Sequence, residues 1–415
     1  MDDISQSQLR KYALKKVEDT VNTLDPSSAI ANNFDIDIAQ YKNIYVIGFG
    51  KASFKMYYGI RNKVTSKLIY AGIIIPDDED HDESYPELEI LKGTHPIVSD
   101  LSVKSSKKLL SHIGALTEED LVIVLISGGG SSLFEIPEPG ISINDMAEIS
   151  TEVMENDGDI YVLNRIRSAL SAVKNGKLAK YLYPASVIAF IVSDVIYDDL
   201  NIIASGPLVK SSQAFNMNSL VEKYINRQDL KNIVEKSNVS EIPDQYFLKV
   251  QNRIILRNRD FVDFLYSSLE DEKINLGSNI SGDVKPVSFK IPEILRNVFD
   301  LKGKDFWFVC GGETTVNVRG NGKGGRNQEL VLRMMENMHK NENFLFISIG
   351  TDGIDGKSIA AGGIVDNSTQ IDNINDCLEN NDSYTALSRS HGTIITGRTG
   401  NNVSDLMIGF YGRQK

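Results

Sequence analysis

The sequence predicts an α/β fold in two domains, and three observations carry that reading. Short, unbroken Val/Ile-rich runs alternate with helix-periodic segments through the N-terminal half, the pattern of a parallel sheet covered by helices on both faces. Past residue 210 the texture turns polar, and strand-like runs return only near residue 252. At 415 residues, the chain exceeds what one hydrophobic core usually holds together. We divide it at residue 215, into an N-terminal domain 1–215 and a C-terminal α/β domain 216–415, with SSQAFNMNS (211–219) as the hinge.

The elements follow in order. Leu9, Leu14, Val17, Val21 and Leu24 recur at helical spacing among charges, which predicts a helix over 4–24. NIYVIGFG (43–50) reads as a buried strand and KASFKMYYGIRNKV (51–64) as the helix behind it. AGIIIP (71–76) is a second strand, SVKSSKKLLSHIGAL (102–116) an amphipathic helix, and DLVIVLIS (120–127) a third strand running into GGGSS. LNRIRSALSAVKNGKLAKYL (163–182) is a helix with a break near Gly176, and ASVIAFIVSDV (185–195) is the next strand. After a polar, helical stretch, NRIILRN (252–258), PVSFKI (286–291), DFWFVCGGE (305–313), TTVNVRG (314–320), FLFISIG (344–350), GTIITG (392–397) and DLMIGFY (405–411) read as strands.

A net charge of −12 argues against nucleic acid and anionic membrane as partners, while leaving room for a local cationic cleft that binds small anions. Cys310 and Cys377 form neither a disulfide framework nor a metal-ligand spacing, which fits a reducing cytosol. MDDISQSQLRKYALKKVEDTV is charged throughout, and no apolar stretch approaches the length of a membrane span. The expectation is a soluble, cytoplasmic protein.

In a parallel sheet, ligands sit beyond the carboxyl ends of the strands, so the loops there hold the chemistry. The first, GFGKAS, half-matches two templates. For a dinucleotide turn, Gly48 and Gly50 fit but Ser53 replaces the third glycine. For a triphosphate loop, Gly50 and Lys51 fit but Tyr45 and Ala52 do not. What survives is a lysine at a helix N-terminus, where an ammonium and backbone N–H groups attract an anion; a tight turn with a solvated lysine is the competing reading. LISGGGSSL is more specific: Gly128, Gly129 and Gly130 let backbone approach a ligand, and Ser127, Ser131 and Ser132 add hydroxyls, as in a phosphate cradle. Asp194, just past a buried strand, suits Mg²⁺ or a substrate hydroxyl, with Asp198 or Asp199 capping the following turn. Glu313 sits in a glycine turn ahead of a cationic stretch with Arg319, Lys323 and Arg326. Arg326 opens a helix against its dipole, a conflict that a bound anion would remove. Asp352 and Asp355 lie among glycines, equally open to Mg²⁺ contact and to a plain turn. Asn401 and Asn402 stand where a helix is expected to start, and His95 reads as a hydrogen-bonded structural group.

Taken together and in this order, GFGKAS, THPIVSD, LISGGGSSL, SALSAVKNGKLA, SDVIYDDLNIIASGP, GGETTVNVRGNGKGGRNQE, GTDGIDG, AAGGIVD and TGNNVSDL resemble the glycerate 2-kinases, the class II glycerate kinases whose C-terminal half is called the MOFRL domain. The resemblance spans about residues 5–412. It implies a Rossmann-like N-terminal domain, a MOFRL-type C-terminal domain and an active site in the cleft between them. It further implies ATP- and Mg²⁺-dependent phosphorylation of D-glycerate to 2-phosphoglycerate. By motif match, Lys51, Arg326 and Asp194 are the catalytic residues. Ser127 through Ser132, Glu313 and Asn327 serve the nucleotide, Lys51, Arg326 and Asn401 the glycerate, and Asp194, Glu313 and Asp352 the metal. The partners are then small molecules, and a homodimer is compatible. The chain departs from the family pattern at Ile196–Tyr197, where a Pro-Gly pair is usual, and in TGNNVSD, where TGTNVND is usual. Two other readings stay open on the sequence: an NAD(P)H oxidoreductase of the hydroxypyruvate reductase type, built on Gly48 and Gly50, and a nucleotide-binding regulator without turnover.

Overall fold

The structure, a computed structural model, describes residues 5–80, 85–158, 160–210, 217–236 and 241–413, so residues 211–216 of the expected hinge lie outside it. The chain forms two compact units, and neither is a contiguous half. One comprises Pro26–Ser193 and Asp198–Ile255; the other comprises the residues through Asp25, Asp194–Tyr197, and those from Leu256 onward. The units therefore depart from the linear division at residue 215: the helix Gln6–Thr23 belongs with the C-terminal sheet, and the segment up to Ile255 with the N-terminal one.

The first unit is built on β1 (Asn43–Phe49), β2 (Leu68–Pro76), β3 (Leu88–Gly93), β4 (Asp120–Ile126), β5 (Ser186–Val192) and β6 (Val250–Leu256), in the order β3-β2-β1-β4-β5-β6. The pairs from β3 through β5 are parallel. Every residue of β4 is buried, as are all but the first of β1 and β5, which is why these strands read as unbroken apolar runs rather than alternating ones. The helices Ser53–Val64 and Asp100–Ser111 form as expected. The long predicted helix 163–182 is instead two, Ile160–Leu170 and Leu178–Leu182. Between them Asn175 (φ +52°) and Gly176 (φ +81°) turn the chain, and Lys177 donates to the carbonyls of Ala169 (3.2 Å) and Ser171 (2.5 Å) that the break leaves open.

The second unit holds β7 (Lys273–Asn275), β8 (Ile280–Asp283), β9 (Phe306–Thr315), β10 (Glu342–Gly350), β11 (Gly362–Asp366), β12 (Thr393–Ile394) and β13 (Asp405–Arg413). Its order is β12-β11-β10-β13-β9-β7, with β8 also paired to β9. The pairs from β12 to β9 are antiparallel, while β7 and β8 run parallel to β9. Phe306, Phe308 and Cys310 of β9 enter the core shared with the helices Val284–Lys302 and Arg326–Glu336. Alternation turns Trp307 to the other face, where its ring lies 5.2 Å from Tyr12 of the N-terminal helix. That contact explains why a helix far away in sequence belongs to this unit.

Two expected strands are absent. PVSFKI lies inside the helix Val284–Lys302. Its apolar alternation suits a strand, but a strand would put Phe289 on the same face as Val287 and Ile291, and Phe289 is 56% exposed. The buried set Val284, Val287, Ile291 and Leu295 has helical spacing, Asp283 caps the first turn, and Pro286 falls where an N–H has no helical partner anyway. TTVNVRG is not a strand of its own: β9 ends at Thr315 and a loop follows.

Candidate active site

In the first unit, two strand-end loops meet. Gly50 follows β1 with φ +125°, and a Cβ there would sit 2.2 Å from Ser127 Oγ and 2.5 Å from the Ser127 carbonyl. Only glycine allows this approach. The turn is then laced to the loop after β4. The Lys51 N–H donates to the Gly128 carbonyl (3.0 Å), and the Ala52 N–H to Ser127 Oγ (2.9 Å). The Gly50 N–H goes to Ile74 (3.2 Å) and the Ser53 N–H to Gly50 (3.1 Å). The backbone donors from Gly50 through Ser53 are thus all satisfied by protein. This corrects the expectation of an N–H-rich anion site in the β1 turn and removes the donors that a dinucleotide pyrophosphate would use there. The turn contributes the half-buried Lys51 side chain, two residues before the helix Ser53–Val64.

The donor surplus lies in the next loop. Gly129 turns through φ +83° into the short helix Gly130–Leu133. The N–H groups of Gly130, Ser132 and Leu133 bond back to Ser127 and Gly129. Those of Gly128, Gly129 and Ser131 have no protein acceptor among the described residues, although Gly128 is buried and the other two half-buried. Such N–H groups are rare in folded proteins unless a ligand or water takes them. His95 Nδ1 lies 2.9 Å from Ser132 Oγ, the structural contact expected of it.

In the second unit, Arg326 begins the helix Arg326–Glu336 as expected, but the conflict with the helix dipole is resolved by protein carboxylates rather than left for an anion. Asp355 accepts from the N–H groups of Asn327 (3.1 Å) and Gln328 (2.9 Å), capping the helix from a distant loop. Burial pushes its carboxyl up to about 6, a rise that the hydrogen bonds from Gln328 and Asn327 only partly offset. Asp405, fully buried at the start of β13, grips Arg326 in a fork: Nε donates to Oδ2 and Nη2 to Oδ1, each at 2.9 Å. Burial alone would lower the Arg326 pKa, but Asp405 and then Glu313 more than reverse that, so the guanidinium stays charged. The remaining Nη1 lies 3.5 Å from Glu313 Oε1. Asn327, expected at the nucleotide, is buried; its amide donates to Asp405 (2.8 Å) and accepts from Ser348 Oγ (2.5 Å). Arg319 and Lys323 are exposed.

Asp194 is held by the loop before β13: its carboxylate accepts from Asn402 Nδ2 (3.2 Å) and its carbonyl from Ser404 Oγ (2.5 Å). No helix starts at Asn401, contrary to expectation. Asn401 is 1% exposed and its amide donates to the Val21 carbonyl (3.2 Å), so it fastens the N-terminal helix, and Asn402 is the asparagine that reaches an acid. Asp352 accepts from the Ile354 N–H (3.1 Å) in a turn, and Asp199 likewise from Asn201 (2.9 Å). Tyr197 adopts φ +66° at a position where the family pattern carries glycine. Among the described residues no three His, Cys, Asp or Glu side chains cluster as a metal site. The sequence reading missed Asp405 and the capping role of Asp355. The motif TGNNVSDL contains Asp405, but nothing local marks it as the partner of an arginine 79 residues earlier.

Residues 12–237 match a domain of unknown function, DUF4147, and residues 306–405 match the MOFRL family. Among curated relatives, the glycerate 2-kinase of Picrophilus torridus is 52% identical over 412 residues, covering 99% of this chain and 98% of the relative. The D-glycerate 2-kinase of Thermotoga maritima is 32% identical, covering 97% and 98%. Among solved structures, a glycerate kinase of Thermotoga maritima superimposes with a TM-score of 0.86 at 30% identity, covering 98% of this chain and all of that one. A Pyrococcus horikoshii protein does so with a TM-score of 0.75 at 28% identity, over the whole of both chains.

Proposed function

The chain belongs to the glycerate 2-kinase family, and from that premise we propose that it transfers the γ-phosphoryl group of ATP to the 2-hydroxyl of D-glycerate, giving 2-phosphoglycerate and ADP. The observation that carries the reading is the loop Ser127–Ser132, whose unpartnered N–H groups at Gly128, Gly129 and Ser131 suit phosphate oxygens. Loop and lysine are tied by the bond from the Lys51 N–H to Gly128. Phosphoryl transfer asks a protein mostly for positioning and charge neutralisation. Lys51 supplies one cation for the transferring group. Arg326 supplies a fixed one: with Nε and Nη2 committed to Asp405, the guanidinium plane is set, and its Nη1 edge is the part left to grip a carboxylate or phosphate. Asp194, oriented by Asn402, aligns the attacking hydroxyl or holds Mg²⁺.

Mg²⁺ in kinases usually takes one or two carboxylates, with phosphate oxygens and waters completing its shell. The donor set fits that demand without a three-acid cluster. Asp194 and the partly exposed Glu313 would hold the ion, and Asp352, engaged in its turn, is a weaker third. Bound Mg²⁺ neutralises charge on the phosphates. ATP consumption should depend strictly on added D-glycerate. Turnover of ATP that ignores D-glycerate, or NADH oxidation with hydroxypyruvate, would overturn the reading. No helix among the described residues is long and apolar enough to cross a membrane. Free thiols at Cys310, buried and pushed up to about 12 by that burial, and at Cys377 support a cytoplasmic location.

A further inference from the structure

Behind the Ser127–Ser132 loop lies an ion pair that nothing in the reaction uses. Lys174 and Glu135 are 1% and 0% exposed, with Nζ 2.5 Å from Oε2. Burial pulls the Lys174 pKa down, and Glu135 restores only part of it. Glu135 Oε1 is buried without a hydrogen-bond partner. An ion pair this deep and incompletely satisfied is a poor source of stability, since apolar side chains of similar volume do as well or better. It therefore calls for another role, and the second bond of the ammonium supplies one: Nζ donates to the Ser131 carbonyl at 2.6 Å.

The same spot is braced from a second side. Ser131 Oγ and Ser205 Oγ share a hydrogen bond of 3.0 Å. Ser205 and Ala204 hold φ +62° and +49°, a left-handed region that strains a non-glycine residue. They are kept there by the segment that carries Lys174, through Asn175 N–H to Ser205 (3.0 Å) and Gly176 N–H to Gly206 (2.7 Å). Strain, a buried charge and two separate bonds thus converge on Ser131, the residue that closes the run of unpartnered N–H groups.

We propose that Lys174 is a positioning residue of the phosphate loop: its ammonium, neutralised by Glu135, fixes the Ser131 carbonyl and with it the backbone that presents Gly128, Gly129 and Ser131 N–H to phosphate. This rests on the loop being the nucleotide site. The test is the double variant Lys174→Met/Glu135→Leu, which removes both buried charges together with the ammonium's bond to the Ser131 carbonyl. Its thermal stability should match or exceed wild type, while KM for ATP rises roughly ten-fold or more, the scale of one charge-assisted hydrogen bond, and KM for D-glycerate changes less than two-fold. A merely structural pair would not separate the two KM values. Gly129→Val serves as the reference for the loop itself. If Gly129→Val raises KM for ATP and the double variant leaves it unchanged, the positioning role is wrong and the loop reading stands. A Gly129→Val enzyme with unaltered KM for ATP overturns both. Should the double variant fail to fold, Lys174→Met/Glu135→Gln, which removes the donor to Ser131 and keeps the volume at 135, is held to the same outcomes.

Discussion

Asp405→Asn should weaken the fold and the turnover together. The carboxylate is fully buried and accepts from Arg326 Nε and Nη2, both at 2.9 Å, and from Asn327 Nδ2 at 2.8 Å. An asparagine keeps the volume and one acceptor, but its amide hydrogens would face donors, so Arg326 would lose the two-oxygen fork and the negative charge and keep a single oxygen at 405 with Glu313 at 3.5 Å. Breaking one side of a fully buried pair costs about 3–5 kcal/mol. The Arg326 side chain is 32% exposed, so water recovers part of that, and about 2 kcal/mol is the reasonable figure. For a unit of this size that lowers its unfolding temperature by roughly 4–8 °C. A guanidinium free to drift by about 1 Å should lower kcat by up to about 100-fold. Differential scanning calorimetry and steady-state kinetics on the same preparation read both. A folded Asp405→Asn enzyme with wild-type Tm and kcat would refute the fork as the device that sets Arg326, and a lowered Tm with unchanged kcat would leave it a structural pair only.

Lys51→Ala should lose about two to four orders of magnitude in kcat with its circular dichroism spectrum unchanged, as expected for one charge stabiliser of phosphoryl transfer; a loss of only a few-fold removes Lys51 from the chemistry. Gly50→Ala, whose Cβ would meet Ser127 Oγ at 2.2 Å in a φ +125° conformation, should lower stability by more than about 2 kcal/mol in urea unfolding; a neutral result would mean that the β1 turn is not where the structure puts it. Asp355 is lifted from 3.8 to about 6. The native state thus binds its proton more tightly than the unfolded chain, and this residue's contribution to stability is largest below pH 4 and falls as pH rises through 6. Stability of the wild type relative to Asp355→Asn should accordingly decline from pH 4 to pH 6, and a difference that is flat or grows would contradict the sign.

The loops that matter were visible in sequence because each ends a buried strand whose apolar run is unmistakable: β1, β4 and β5 are buried along nearly their whole length. Lys51, the GGGSS loop and Asp194 followed from that. PVSFKI misled because period-2 and period-3.6 patterns coincide over six residues, and only the exposure of Phe289 separates them. Assignment of the Gln6–Thr23 helix to the C-terminal unit was illegible, since it depends on Tyr12 meeting Trp307 nearly 300 residues away. The same holds for Asp355 and Asp405. An aspartate in a glycine turn or at a strand start looks ordinary until tertiary structure sets it against a helix N-terminus or a guanidinium. Arg326 opens a helix, as the sequence reading had it, but the protein's own carboxylates meet the conflict with the dipole that a bound anion was expected to remove.

The most direct measurement is phosphorus NMR of the product made from D-glycerate and ATP, followed by addition of enolase without phosphoglycerate mutase. Cations that anchor the glycerate carboxylate would bring the adjacent hydroxyl, rather than the distal one, in line with the γ-phosphate, and the proposed activity predicts 2-phosphoglycerate and its immediate conversion by enolase. A product inert to enolase, with the phosphorus signal of 3-phosphoglycerate, would contradict the orientation, and the absence of any phosphorylated glycerate would contradict the kinase.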